Sequence, residues 1–215
     1  MAGVLSTLVV PAHPYRRTLP HIFPARTAVF FTWRLYGSLP VQKHSIVSKP
    51  KVSTGATFVR MDRSLDRAAT GPRWLRDPRI AEIVTGEIER GEREFGRYRL
   101  LEYVVMPNHV HVLVFPTSNP DAAMRMLKGN TARLANRLLD RVGLPFWQYE
   151  SFDHWCRSVE EVRKIRAYIV NDPVKCGLVR RPQDWRWSSA HRRLEEKQAR
   201  LVQRVTGVAE HLEPT

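Results

Sequence analysis

Two histidines stand one residue apart in the apolar run VVMPNHVHVLV, residues 104–114. Side chains alternate between the two faces of a β-strand, so His109 and His111 are predicted to share one face. The valines on either side of His111 point to the other face, toward a core. Two imidazoles on one face can hold a single metal ion. The spacing alone fits equally well a hairpin whose exposed face carries two polar rings.

One class of enzyme with a related motif is excluded by the next position of the strand. Histidine-triad nucleotide hydrolases carry a third histidine two residues after the second, and this sequence has Leu113 there. A metal held by only two histidines needs further ligands, which are usually carboxylate or amide oxygens. The sequence must therefore supply such an oxygen from another element.

A tyrosine and an aspartate lie one helical turn apart in SVEEVRKIRAYIVNDPVKCGL, residues 158–178. Tyr168 and Asp172 are predicted to be neighbours at the edge of the apolar stripe of this helix. A phenol beside a carboxylate fits a nucleophile next to a metal ligand. The structural alternative is a boundary tyrosine with its ring packed inward and its hydroxyl in water.

Together, the histidines and the tyrosine indicate phosphoryl transfer, which needs a nucleophile, a Lewis acid and cationic surroundings. A free tyrosine has a pKa of about 10, so a divalent ion and cationic side chains are needed to stabilise the phenolate. Attack on a DNA phosphodiester would leave a phosphotyrosine. That ester conserves the energy of the broken bond, so a strand can be rejoined without ATP.

The charge of the chain indicates a polyanionic partner. Its 35 Lys and Arg residues against 21 Asp and Glu give a formal net charge of +14, which favours nucleic acid. The two cysteines, Cys156 and Cys176, form no CxxC pair, so a reducing cytoplasm is expected. No run reaches the roughly 18 apolar residues of a membrane span, and the start lacks the basic region of a signal peptide.

The order of the predicted elements is β-α-β-β-α-β-α, an α+β domain with an antiparallel sheet covered by helices. The third helix is expected to begin at the capping box of Ser158 and Glu161 and to end before Pro173. We predict three parts: an irregular basic arm over 1–24, a domain over 25–190 with an insertion at about 40–60, and a basic helical tail over 191–215. The strands are predicted in 27–36, 98–106, 109–115 and 146–157, and the other helices from Asp77–Pro78 and in 120–140.

Two segments resemble the HUH single-tyrosine transposases, and most closely their REP-associated branch. VVMPNHVHVLV resembles the His-hydrophobic-His motif, and YIVNDPVKCGLV resembles the tyrosine helix in the form YI-x-N-N-P-V-x-x-G-L-V. Further similar stretches extend the resemblance over most of residues 19–190. Two positions depart from the pattern: Asp172 replaces an expected asparagine, and Val170 replaces a position that is often polar or charged. Aspartate is a good ligand for a hard cation, so the first departure is compatible with a metal site.

The resemblance implies a ferredoxin-like fold, the HUH transposase fold, and cleavage of single-stranded DNA beside a hairpin such as a REP-like palindrome. It implies that His109, His111 and Asp172 hold Mg²⁺ or Mn²⁺. It also implies that Tyr168 forms a 5′-phosphotyrosine link and leaves a free 3′-OH. The location implied is the bacterial cytoplasm, in association with the nucleoid, and the sequence leaves open a monomer or a homodimer.

Basic side chains outside the two motifs are predicted to contact DNA phosphates. Arg125, Lys128 and Arg133 lie on the second helix, where the alternative is a solvated helix face. Arg16 and Arg17 could enter a groove from the N-terminal arm. Two other functions stay open: a DNA-hairpin binder with little or no catalysis, and a metal-dependent nucleotide phosphodiesterase.

Overall fold

The computed structural model describes residues 27–38, 62–63, 65–66, 71–149 and 151–209, with side chains up to residue 200. The predicted arm over 1–24, with Arg16 and Arg17, and the predicted insertion at about 40–60 lie outside these residues. The helices and strands follow the predicted order. They are β1 Val29–Arg34, α1 Pro78–Arg93, β2 Tyr98–Val105, β3 His109–Pro116, α2 Pro120–Leu138, β4 Phe152–Trp155, α3 Val159–Lys175 and α4 Ser189–Ala209.

The four strands form one antiparallel sheet in the order β2-β3-β1-β4. β2 and β3 form the predicted hairpin, which the Met106 N–H closes by donating to the His109 carbonyl at 2.9 Å. β1 lies in the centre and pairs Thr32 with His111. The βαββαβ order combined with this strand arrangement is the ferredoxin-like α+β fold expected from the sequence.

Strand alternation divides the buried side chains between the two faces of the sheet. Val110, Val112 and Val114 pack with α1 and α2 in the larger core. Leu113 and its neighbours on β1 and β2 pack against α3 in a smaller core that includes Ile169. His109 and His111 therefore lie on the α3 side, which brings the tyrosine helix over the histidine strand.

Local sequence signals fix the starts of the helices. Asp77 caps α1 by accepting a hydrogen bond from the Arg79 N–H, and Pro78 occupies the first helical position, where its missing N–H has no helical partner to lose. Ser158 caps α3 by accepting from the Glu161 N–H at 3.1 Å, while the Glu161 carboxylate accepts from the Arg157 N–H at 2.6 Å. The Ser158 half of the predicted capping box is therefore observed, whereas Glu161 accepts from the N–H of Arg157, the residue before the cap, instead of from the N–H of Ser158.

The predicted end of the third helix is wrong, because α3 continues through Pro173 to Lys175. Proline removes one backbone donor from a helix, but the last turn supplies its own hydrogen bonds. The Cys176 N–H donates to the Asp172 carbonyl at 3.0 Å, and the Leu178 N–H donates to the Pro173 carbonyl at 2.9 Å. Gly177, at φ +68°, then ends the helix in the left-handed region that favours glycine.

The predicted basic tail is helical and begins at Ser189. The Ser189 hydroxyl donates to the Tyr103 carbonyl at 3.2 Å, and Arg193 contacts the buried carboxylate of Glu102 at 2.8 Å. These contacts join the first turns of α4 to β2. Within the part of the chain that the structure describes, no helix has the length and apolar character needed to cross a bilayer.

Candidate metal and tyrosine site

The two imidazoles of β3 are buried and point to one place. His109 and His111 expose 1% and 0% of their surface. Their Nε2 atoms are 3.1 Å apart, and their ring centroids are 4.7 Å apart. The predicted shared face is thus observed, and the side chains converge more closely than the strand spacing of about 6–7 Å.

The other nitrogen of each ring has a hydrogen-bonding partner. His109 Nδ1 lies 2.7 Å from the Asn108 side-chain oxygen, and His111 Nδ1 lies 2.7 Å from the Thr32 hydroxyl. A proton donated from Nδ1 to these oxygens leaves each Nε2 with a free lone pair, as metal coordination requires. The Asn108 amide also donates to the Leu65 carbonyl at 2.9 Å, which links β3 to residues 62–66.

Two buried aspartates face the imidazoles. Asp172 Oδ2 lies 3.8 Å from His109 Nε2 and 3.7 Å from His111 Nε2. Asp62 Oδ1 lies 3.1 Å from His111 Nε2 and 3.8 Å from His109 Nε2. The carboxylates come from α3 and from the segment before α1, so three distant parts of the chain meet here.

The electrostatics of the site reflect this meeting of charges. Burial opposes the ionisation of Asp62, but His111 at hydrogen-bonding distance outweighs it and holds the pKa of Asp62 below its usual value. Burial also opposes protonation of His111, but Asp62, followed by Asp172 and Asp66, raises the pKa of His111 overall. Burial and then the charges of Asp172 and Asp62 raise the pKa of the Asp66 carboxyl.

The donor set fits a divalent metal ion. One imidazole nitrogen from each of His109 and His111 and a carboxylate oxygen of Asp62 lie within 4.8 Å of one another. Ligand atoms bound to a single ion at about 2.0–2.2 Å lie roughly 3–4 Å apart. Among the residues that the structure describes, neither buried carboxylate oxygen of Asp172 has a hydrogen-bond partner, a costly state that a cation would relieve.

The tyrosine lies against this donor set. Tyr168 is half-buried on α3, and its ring meets that of His111 edge-on, with centroids 5.6 Å apart and an interplanar angle of 68°. Phe30 packs on Tyr168 at 6.5 Å. The Lys175 ammonium lies 4.1 Å from the centroid of the phenol ring. The structure therefore brings together Tyr168, both histidines and Asp172, as the sequence predicts.

The predicted DNA contacts lie elsewhere. Arg125 and Arg133 are exposed on α2, which packs on the sheet face opposite the histidines. Lys128 donates to the carbonyls of Gln148 and Tyr149 at 3.0 and 3.1 Å, so its ammonium also holds the segment that leads to β4. Their role in DNA binding stays a prediction.

Sequence reasoning missed two residues of the site. Asp62 precedes α1 in a stretch without periodicity, so nothing in its surroundings distinguishes it from a surface aspartate. Lys175 does leave a signal, because it follows Tyr168 by seven residues, and side chains seven apart share a helix face.

These observations agree with the resemblance found in the sequence. A four-stranded antiparallel sheet whose His-hydrophobic-His strand faces a tyrosine on a packed helix is the arrangement that the resemblance to the single-tyrosine HUH transposases implies. Residues 79–172 match the family described as "Transposase IS200 like". The matched segment contains both histidines, Tyr168 and Asp172, so this match confirms the resemblance found in the sequence.

Individual relatives agree with this assignment. A REP-associated tyrosine transposase from Escherichia coli (strain K12) is 28% identical over 97 residues, which make up 44% of this chain and 56% of the relative. The match thus spans little more than half the length of that curated protein. The structure of a REP-associated tyrosine transposase bound to a REP hairpin has a TM-score of 0.52 and 20% identity, and the match covers 84% of each chain. At this identity the structural likeness bears on the fold, which it confirms.

Proposed function

We propose that this protein is a metal-dependent transposase that cleaves and rejoins single-stranded DNA beside a hairpin, with Tyr168 as the nucleophile. The observation that carries the proposal is the edge-on contact of the Tyr168 and His111 rings at 5.6 Å. It places a phenol beside a set of metal ligands, although some 57 residues separate the two in the sequence. A boundary tyrosine without a function would not need this neighbour.

In the proposed cleavage step, the Tyr168 oxygen attacks a DNA phosphorus and displaces the 3′ oxygen. A bond forms between the phenol oxygen and phosphorus, and the bond from phosphorus to the 3′ oxygen breaks. The phenol proton is lost and the departing oxygen gains a proton, which gives a 3′-OH and a 5′-phosphotyrosine. A second 3′-OH can reverse the step and join a strand, since the number of phosphoester bonds is conserved.

His109, His111, Asp172 and Asp62 are the residues that would hold the metal, for which we propose Mg²⁺ or Mn²⁺. When bound, such an ion polarises the phosphate and offsets the negative charge that develops on it. The Lys175 ammonium, 4.1 Å from the phenol ring, stabilises the phenolate by its charge. Burial of the imidazoles strengthens these interactions, because water screens them less.

Hairpin DNA is the proposed substrate. The net charge of +14 suits a polyanion, and the structural relative is bound to a REP hairpin. Arg125, Lys128 and Arg133 are proposed to contact phosphates from α2, and Arg16 and Arg17 from the N-terminal arm. Both Cys156 and Cys176 are free thiols, which accords with a proposed location in the bacterial cytoplasm, at the nucleoid. A monomer and a homodimer are both compatible with this proposal.

The test is covalent capture of DNA. The full chain is incubated with an end-labelled single strand that carries a hairpin, in the presence of Mn²⁺, and the products are separated on a denaturing gel. The native protein should give a labelled protein–DNA band. Tyr168→Phe should abolish that band. The control Tyr149→Phe, which changes an exposed tyrosine earlier in the chain, should retain it.

The same experiment separates the other two functions. A hairpin binder without catalysis would retard the hairpin in a native gel. It would give no covalent band with the native protein or with either tyrosine variant. A nucleotide phosphodiesterase would hydrolyse small nucleotides and give no protein–DNA product. Either result would overturn the proposed mechanism.

A further inference from the structure

A second group of metal-ligating side chains lies beside the histidine site. One ligand atom each from Asp66, Asp172 and Cys176 lie within 4.8 Å of one another. We propose that these residues bind a second divalent cation, of the borderline class of Zn²⁺ and Co²⁺, and that Asp172 is shared by the two sites. The proposed strand transfer needs only the histidine site, so this inference goes beyond it.

The burial of Asp172 points to a ligand at this place. Asp172 exposes 0% of its surface, and within the described part of the chain neither carboxylate oxygen has a hydrogen-bond partner. Oδ2 of Asp172 lies 3.8 Å from Nε2 of His109 and 3.7 Å from Nε2 of His111. A carboxylate has a second oxygen, and Oδ1 of Asp172 stays unsatisfied if the histidine site engages Oδ2 alone. Such an oxygen is rare in a folded interior unless an ion or another partner completes it.

Asp66 adds an independent observation. Among the described residues its Oδ1 is also a buried atom without a hydrogen-bond partner, while its carboxylate is hydrogen-bonded to the Cys176 thiol. Repulsion between its carboxylate and that of Asp172 is unfavourable in a region shielded from water. A cation between the two carboxylates would turn this repulsion into two attractions.

The donor types select the class of cation. Two carboxylates alone would suit Mg²⁺ or Mn²⁺, but the thiol of Cys176 adds a sulfur ligand, which hard cations avoid. A mixed set of sulfur and oxygen suits Zn²⁺, Co²⁺ or Cd²⁺. On binding, the thiol releases its proton to the solvent and the thiolate becomes the ligand.

A cavity gives an ion access to this place. It has a volume of about 160 Å³, and its lining includes Asp66, Cys176 and His109. Arg73 and Arg76 also line it and oppose the entry of a cation. Both arginines are exposed, so salt and water screen their charge, whereas the buried carboxylates are screened much less.

The test uses Co²⁺, because a thiolate bound to Co²⁺ gives a charge-transfer absorption that nitrogen and oxygen ligands do not. The full-length chain is freed of metal, dialysed against Co²⁺ and analysed for bound metal and for the absorption band. The native chain should bind about two Co²⁺ ions with a thiolate band. Cys176→Ser and Asp66→Asn should each retain about one ion and lose the band, while Cys156→Ser, which removes the other thiol, should retain both.

A companion variant distinguishes this site from the proposed active site. His109→Ala combined with His111→Ala should remove the first ion and the covalent DNA band, yet keep the thiolate band. Circular dichroism checks that each variant is folded. Binding of a single Co²⁺ ion by the native chain, or a thiolate band that survives Cys176→Ser, would overturn the second site without affecting the case for Tyr168.

Discussion

His111 is the residue on which most contacts of the site converge. It contacts Asp62 and His109 through Nε2, Thr32 through Nδ1 and Tyr168 through an edge-on contact of the two rings. Asp172 completes this group where the related motif would carry asparagine. Within the described residues this carboxylate has no hydrogen-bond partner, which is the state that the proposed cation would relieve.

The raised pKa of His111 predicts a pH dependence of stability in the metal-free protein. The ion pair with Asp62 is fully formed below the unfolded value of about 6.5, and its contribution is lost as pH rises through the raised folded pKa. At the acidic end, the lowered pKa of Asp62 means that its contribution is present above about 3.8 and is lost below. Urea unfolding in EDTA should therefore show decreasing free energy of unfolding above pH 6.5.

Two variants check the assignment of this pH dependence. His111→Asn should flatten the decline above pH 6.5, while His191→Asn, on the half-exposed start of α4, should leave it intact. A decline that persists in His111→Asn would contradict the role of the ion pair.

Lys175 predicts an effect on the rate of the chemical step. Lys175→Met removes the ammonium 4.1 Å from the phenol ring, so the phenolate loses a stabilising charge. Formation of the covalent DNA band at neutral pH should slow by about tenfold, and its pH profile should move to higher pH. Lys175→Arg, which keeps the charge, should stay within about threefold of the native rate. Equal rates for the methionine variant and the native chain would exclude this role.

At the scale of elements, α3 is the part that delivers both Tyr168 and Asp172. Its start depends on Ser158 and Glu161, whose capping bonds fix where the first turn begins. Oε1 of Glu161 also lies at hydrogen-bonding distance, 2.8 Å, from Nε2 of His154 on β4. The cap thus joins the tyrosine helix to the edge strand of the sheet.

Ser158→Ala should lower the free energy of unfolding by about 1 kcal/mol, because the Glu161 N–H loses its acceptor. Chemical denaturation measures this value. Covalent capture of DNA under native conditions should persist, since Tyr168 lies more than two turns further along the helix. A loss of capture without a loss of stability would show that the cap acts on the site directly.

The sequence predicts the start of α3 well and its end poorly. The Ser158 cap locates the start of α3, and the spacing of four residues places Tyr168 beside Asp172 on one face of the helix. Both signals are local, because each involves residues within about one helical turn of each other. The continuation past Pro173 depends on hydrogen bonds of the following turn, which no local rule specifies. Asp62 is still less predictable, because only tertiary packing makes it a neighbour of His111, at 3.1 Å between Oδ1 and Nε2.

At the scale of the molecule, the candidate site and the arginines of α2 that are predicted to contact DNA lie on opposite faces of the sheet. The site lies between the sheet and α3, while Arg125 and Arg133 are exposed on α2, across the sheet. A DNA contact at both places requires a substrate that extends around the domain. A hairpin with a single-stranded flank has such an extent.

The charge predicts a salt-dependent affinity for hairpin DNA. Each phosphate contact contributes about one counterion to the slope of log K against log salt. Arg133→Ala should reduce this slope by about one and weaken binding to all hairpin sequences alike. Arg181→Ala, which removes an arginine paired with Asp184 at 2.9 Å, should leave the slope unchanged. Fluorescence anisotropy over a salt series measures both, and an unchanged slope for Arg133→Ala would place the DNA elsewhere.

The identity of the residue that becomes linked to DNA is the most direct test of the mechanism. The covalent complex is digested with nuclease and trypsin and analysed by tandem mass spectrometry. Trypsin cuts after Arg166 and Lys175, so Tyr168 lies in the peptide of residues 167–175. We predict a phosphate-linked nucleotide on the Tyr168 oxygen in this peptide. A nucleotide on any other residue, or cleaved DNA without a linked peptide, would contradict it.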